Sequence, residues 1–109
     1  MTRLYLAGPM TGLPEFNYPA FHAEAARLRT LGFEVENPAE NPLPANAPWH
    51  LCMRAAVRQM LTCDAVATLP DWVNSPGAQL EVYVADRLGI EAKPASTYTR
   101  AQVPTCSSL

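Results

Sequence analysis

The order of elements in the sequence predicts an α/β fold: a single-domain, three-layer α/β/α sandwich with a Rossmann- or flavodoxin-like parallel sheet of four to five strands. Three observations carry this. Short apolar runs alternate with stretches of helical periodicity, in the order βαβαβα with a possible last strand. Glycine and proline fall between these runs rather than inside them. The 109 residues fit one domain with a modest core, and no internal repeat or second domain is visible.

The first strand is residues 3–7, an apolar run stopped by Gly8-Pro9. Residues 8–14 hold two glycines and two prolines, which excludes a regular element. Asn17 or Tyr18 caps a helix over residues 19–31, with Phe21, Ala25, Leu28 and Leu31 as its buried stripe and Gly32 as its stop. Residues 33–36 form the second strand. A proline-rich loop, residues 38–48, follows, and its length suits covering a site better than simple connection. The second helix spans residues 48–61, with Trp49, Met53, Val57 and Met60 on one face. Residues 64–69 form the third strand, stopped by Pro70. A loop from Asp71 leads into the third helix, which ends near Gly89. Residues 90–92 begin a fourth strand that Lys93-Pro94 interrupts. The domain is thus assigned to residues 1–94. Residues 95–109, rich in Ser, Thr and Pro without periodicity, are read as a C-terminal tail.

Composition narrows the function classes. Hydrophobic residues make up 49% and charged residues 17%, as in a compact soluble protein. A net charge of −2 without a basic stripe argues against binding a nucleic-acid polymer. No apolar run approaches the roughly 20 residues that span a bilayer, and the N-terminal run is too short for a signal peptide. Cys52, Cys63 and Cys106 are an odd set without CxxC spacing. They read as free thiols in a reducing, cytoplasmic compartment and not as metal ligands. No cofactor and no metal is called for.

In a parallel sheet the ligand site lies at the carboxyl ends of the strands. Two loops there are chemically loaded. Gly8, Pro9, Met10, Thr11 and Gly12 form either a cradle whose backbone N–H groups approach a ligand or an ordinary strand-to-helix turn. They are not a dinucleotide fingerprint or a P-loop. Asn74 or Ser75 caps the third helix, with Pro76 as its first residue and Gly77 open to close approach. That helix start serves as a plain cap or as an anion site. Glu81 lies on the stripe of Gly77, Val84, Ala85 and Leu88, the apolar side of the helix. It is too far from Ser75 for a capping box. An inward carboxylate there is either half of a structural salt bridge or a functional group. Tyr5 is the candidate donor to orient it, or else a core tyrosine. Asp71 stands at the site end of the third strand as a candidate proton donor. Asp64 starts that strand at the other end and reads as structural, and His22 and His50 as surface or packing residues.

The segments Leu4-Tyr5-Leu6-Ala7-Gly8-Pro9-Met10-Thr11-Gly12, Cys63-Asp64-Ala65-Val66-Ala67-Thr68-Leu69-Pro70-Asp71-Trp72 and Ser75-Pro76-Gly77-Ala78-Gln79-Leu80-Glu81 resemble a small bacterial and phage family. That family is grouped with the nucleoside 2-deoxyribosyltransferase-like superfamily, and the resemblance covers residues 3–90. It implies breakage and re-formation of the N-glycosidic bond of a nucleoside or nucleotide. It implies that Glu81 is the nucleophile, that Tyr5 holds it, and that residues 8–12 contact the sugar or its 5′ end. Ser75, six positions before Glu81, matches the serine with which nucleotide N-hydrolases of the superfamily contact a 5′-phosphate. The superfamily's acid for the leaving base, an aspartate in the second helix, corresponds here to Ala56, and no acid lies in residues 49–63. Asp71 is the substitute the sequence offers. The competing reading is a nucleotide-binding or sensing protein without turnover. A phosphoribohydrolase of the cytokinin-activating type is disfavoured, because its longer Pro-Gly-Gly motif is absent. A homodimer or larger homo-oligomer is expected, since small members of the superfamily complete their sites across subunits.

Overall fold

The computed structural model describes residues 2–41, 44 and 46–99. Cys106 and most of the C-terminal tail, together with Pro42, lie outside the described residues. Four strands form one sheet in the order β2-β1-β3-β4: β1 (Arg3–Ala7), β2 (Glu34–Glu36), β3 (Ala65–Thr68) and β4 (Glu91–Pro94). Every pairing is parallel, with Leu4 opposite Val35 and Ala65, and Val66 opposite Ala92. Three helices connect them: α1 (Tyr18–Thr30), α2 (Trp49–Met60) and α3 (Pro76–Arg87). This is the predicted α/β class with flavodoxin-like strand order.

The pleat explains the layers. Successive side chains of a strand point to opposite faces. Leu4 and Leu6 join Phe21, Ala25 and Leu28 of α1 on one side. Tyr5 and Ala7 join Ala56 and Met60 of α2 and Ala85 of α3 on the other. Central β1 and β3 are covered on both faces, which is why they read as unbroken apolar runs. Order reverses at β1, whose two neighbours β2 and β3 are reached by crossovers on opposite faces, and this opens a crevice at the carboxyl ends.

Several sequence expectations change in detail. β4 includes Lys93 and ends at Pro94, which pairs with Thr68. A proline is tolerated there because β4 is the edge strand and Pro94 its last residue. Leu88 is 60% exposed and does not continue the buried side of α3, which consists of Ala78, Glu81 and Ala85. Ala95 and Tyr98 also belong to the core, with the Tyr98 ring 5.3 Å from Phe33. The first residues after β4 therefore pack against the domain. Asp64 accepts the Arg3 backbone N–H at 2.8 Å, a structural role at the amino end of the sheet. No helix among the described residues is long and apolar enough to cross a membrane.

Candidate active site

A cavity of about 430 Å³ opens at the carboxyl ends of β1 and β3, between α2, α3 and the loops after β1 and β2. α3 places the central group. Asp71 adopts a left-handed conformation (φ 68°) and turns the chain through the short 3₁₀ segment Trp72–Asn74. Ser75 is then the N-cap, its Oγ accepting the Ala78 N–H at 3.3 Å, with Pro76 at the first helical position. With the helix start fixed this way, Glu81 falls in the second turn and faces the sheet.

Glu81 is buried, 6% exposed, and it lines the cavity. It makes no ion pair among the described residues. The Tyr5 hydroxyl, from the middle of β1, donates to Glu81 Oε2 at 2.5 Å. That distance is in the range of a hydrogen bond to an ionised oxygen. Burial raises the carboxyl pKa to about 7, and the Tyr5 bond partly opposes the rise. Tyr5 is fully buried, and burial together with the neighbouring carboxylate pushes its own pKa well above the ordinary tyrosine value. It therefore stays a donor across the physiological range. The salt-bridge reading of Glu81 has no partner among the described residues.

Among the other site residues expected from sequence, Gly8, Met10, Thr11, Ser75 and Gly77 line the same cavity. Pro9, Gly12 and Asn74 do not. The Pro9 carbonyl instead accepts from Asn17 Nδ2 at 3.0 Å, which ties the glycine loop to the start of α1. Asp71 is exposed and is not brought into the cavity. Two glycines stand at close approaches. A Cβ on Gly8 would stand 2.8 Å from Leu69 Cβ, and one on Gly77 would stand 3.2 Å from Met53 Sδ.

The sequence did not single out the aromatic part of the wall. Phe16, Tyr18, Phe21 and Trp49 all line the cavity, with Met53 and Cys52 of α2. Their clustering around the loop after β1 and at the start of α2 was the available signal. Pro38, Asn41, Pro44 and Ala47 show that the proline-rich loop does wall the cavity. Ala56 faces it too, and Glu81 is the only carboxylate among its described lining residues. No group of three or more His, Cys, Asp or Glu converges to hold a metal ion among the described residues.

A cavity at the strand ends, floored by a buried Tyr–Glu pair, can be compared with known proteins. Curated proteins give no sequence match. Among solved structures, the 2-deoxyribosyltransferase of the psychrotolerant bacterium Bacillus psychrosaccharolyticus matches with a TM-score of 0.66 and 21% identity. The match covers 83% of this chain and 69% of that one. At that identity the likeness is one of fold. The sequence pattern of DUF4406, a domain of unknown function, matches residues 2–93. The chain belongs to the DUF4406 family and has the fold of a 2-deoxyribosyltransferase.

Proposed function

We propose that the protein cleaves or transfers the N-glycosidic bond of a (deoxy)nucleoside or nucleoside 5′-monophosphate through a covalent glycosyl-Glu81 intermediate. One observation carries the reading: a carboxylate buried at the floor of a cavity, with no ion pair among the described residues, accepts a 2.5 Å hydrogen bond from Tyr5. A Glu Oε attacks C1′ as the C1′–N bond breaks, and the base leaves with the bonding electrons. Water or a second base then attacks C1′, and the carboxylate is released. Tyr5 keeps one carboxylate oxygen occupied and leaves the other free for attack. Ser75 Oγ already accepts the Ala78 N–H, and its hydroxyl hydrogen remains available to a 5′ oxygen. Gly8, Met10, Thr11 and the start of α3 at Gly77 hold the sugar end. The fold shared with a 2-deoxyribosyltransferase supports the substrate class.

No second carboxylate stands opposite Glu81 among the described lining residues to protonate the departing base, so we assign that proton to solvent. General acid catalysis typically contributes about 10²–10⁴ in rate, and turnover is slow by that measure. The same feature favours the second reading, a nucleotide-binding protein without turnover. Incubation with deoxynucleosides and their monophosphates, with chromatographic detection of free base, separates the two. Base release that disappears in Glu81→Ala supports the enzyme. Release that survives the substitution removes Glu81 as nucleophile. Ligand-induced thermal stabilisation without any release selects the binding protein. A homodimer or larger assembly belongs to the proposal, since Leu80 and Tyr83 of α3 and Leu88 just after it are exposed; a single monomer boundary in sedimentation would overturn that part.

A further inference from the structure

The chain between the glycine loop and α1 has the most unusual backbone among the described residues. Glu15, Phe16 and Asn17 follow one another at φ 52°, 54° and 60°, with ψ 30°, 26° and 18°. This is close to a turn of left-handed helix made of three L-residues, none of them glycine. A single asparagine in this region is ordinary. A run is not, because each Cβ crowds the following carbonyl oxygen. Strain of this kind persists where surroundings hold it, and it concentrates at ligand clamps.

The protein's own packing does not hold this turn. No residue of Pro14–Asn17 is buried, and Phe16 is 43% exposed. Its polar contacts are few: the Phe16 N–H donates to the Leu13 carbonyl at 3.0 Å, the Tyr18 N–H to Glu15, and Asn17 Nδ2 to Pro9. What the turn achieves is placement. It sets Phe16 and Tyr18 against the cavity, their ring centroids 5.8 Å apart and inclined by 43°. An aromatic pair half in solvent at the mouth of a cavity is a surface for a planar ring.

We propose that residues 13–18 are a strap that the ligand holds in its left-handed turn, with Phe16 packing on the ligand's planar ring. This rests on the reading that the cavity takes a nucleoside or nucleotide. In the empty protein the strap also populates a relaxed form in which Phe16 leaves the cavity. Binding selects the strained form, so the apparent affinity is lowered by the fraction of protein that is relaxed. Affinity is therefore adjustable at Glu15, which does not line the cavity.

The test is calorimetry with 2′-deoxyadenosine and, as the ringless probe, 2-deoxyribose, in a Glu81→Gln background that prevents turnover. Glu15→Gly removes the crowding Cβ, and its Kd for deoxyadenosine falls on the order of fivefold, the factor set by one left-handed residue. Glu15→Pro holds φ near about −65° and forbids the turn, so the Kd rises roughly tenfold. Phe16→Ala weakens deoxyadenosine and leaves deoxyribose unchanged. Melting temperatures of all three stay near that of the parent, because the turn buries nothing. Deoxyadenosine binding that is equal in Glu15→Gly, Glu15→Pro and parent overturns the strap while leaving the nucleoside reading intact. So does a Phe16→Ala loss that is the same for both probes. If neither probe binds the parent, the nucleoside reading fails and the strap with it. Strap variants that shift the Kd uphold the strap, and if the protein with Glu81 intact releases no base they uphold it in the binding-only reading.

Discussion

Replacing Glu81 by glutamine should stabilise the protein above neutral pH and not below pH 4.5. The carboxyl is 6% exposed, and burial moves its pKa from 4.5 to about 7. Because the folded pKa is raised, the folded state favours the protonated form. The contribution of this group is fully present below the unfolded pKa and is lost as pH rises through the folded pKa, so the loss runs from about pH 4.5 to about 7. At about 1.4 kcal/mol per pKa unit, the full penalty at high pH is on the order of 3 kcal/mol. Glutamine is neutral throughout and keeps an oxygen that accepts from Tyr5, so it escapes the penalty. Thermal melts of both proteins from pH 4 to 9, plotted as a difference, isolate this group from every other titration. For a domain of this size ~1 kcal/mol moves the midpoint by about 4–8 °C. The difference should therefore grow by roughly 12–24 °C, mostly between about pH 4.5 and 7, and level off above 7. A pH-independent difference, or a Glu81→Gln protein that loses stability at high pH, would refute the argument. The second result would mean that donors outweigh burial and that the folded pKa is depressed. Base release is lost in the stabilised protein if Glu81 is the nucleophile, the usual conflict between a functional charge and stability.

Other substitutions test the neighbours. The Tyr5 bond lowers the Glu81 pKa, so Tyr5→Phe should move the rising limb of the pH–rate profile, set near 7 in the wild type by the ionised carboxylate, to higher pH. The same change should cost about 1–3 kcal/mol in urea denaturation above neutral pH, as an unsatisfied buried carboxylate does. Gly8→Ala places a methyl 2.8 Å from Leu69 Cβ and should destabilise by about 1–3 kcal/mol in the same assay. Asp71→Asn should leave base release within about twofold of wild type, since Asp71 stays outside the cavity; a loss of the ~10²–10⁴ expected for a general acid would restore it to the mechanism.

The sequence by itself determined the α/β class and the end of the sheet where a site would lie. Those follow from periodicity, from glycine and proline punctuation and from chain order, all local signals. It also singled out Glu81, because a carboxylate on the apolar side of a helix is a local inconsistency. The start of α3 was legible for the same reason, in the Ser75-Pro76 pair. What was not legible depends on distance through space. The sequence offered Tyr5, 76 positions earlier, as a donor to Glu81 or else as a core tyrosine; that it reaches Glu81 at 2.5 Å, and that no cation among the described residues does, only the fold decides. Pro94 reads as a strand breaker until β4 is known to be an edge, where the missing N–H costs nothing. The sequence offered Asp71 as an acid because it follows β3. Only the tertiary structure decided that Asp71 is exposed and outside the cavity, so that Glu81 is its one carboxylate among the described lining residues. Proximity along the chain sets secondary structure, whereas burial, and with it the raised pKa of Glu81, exists only once α2, α3 and the sheet close around the group.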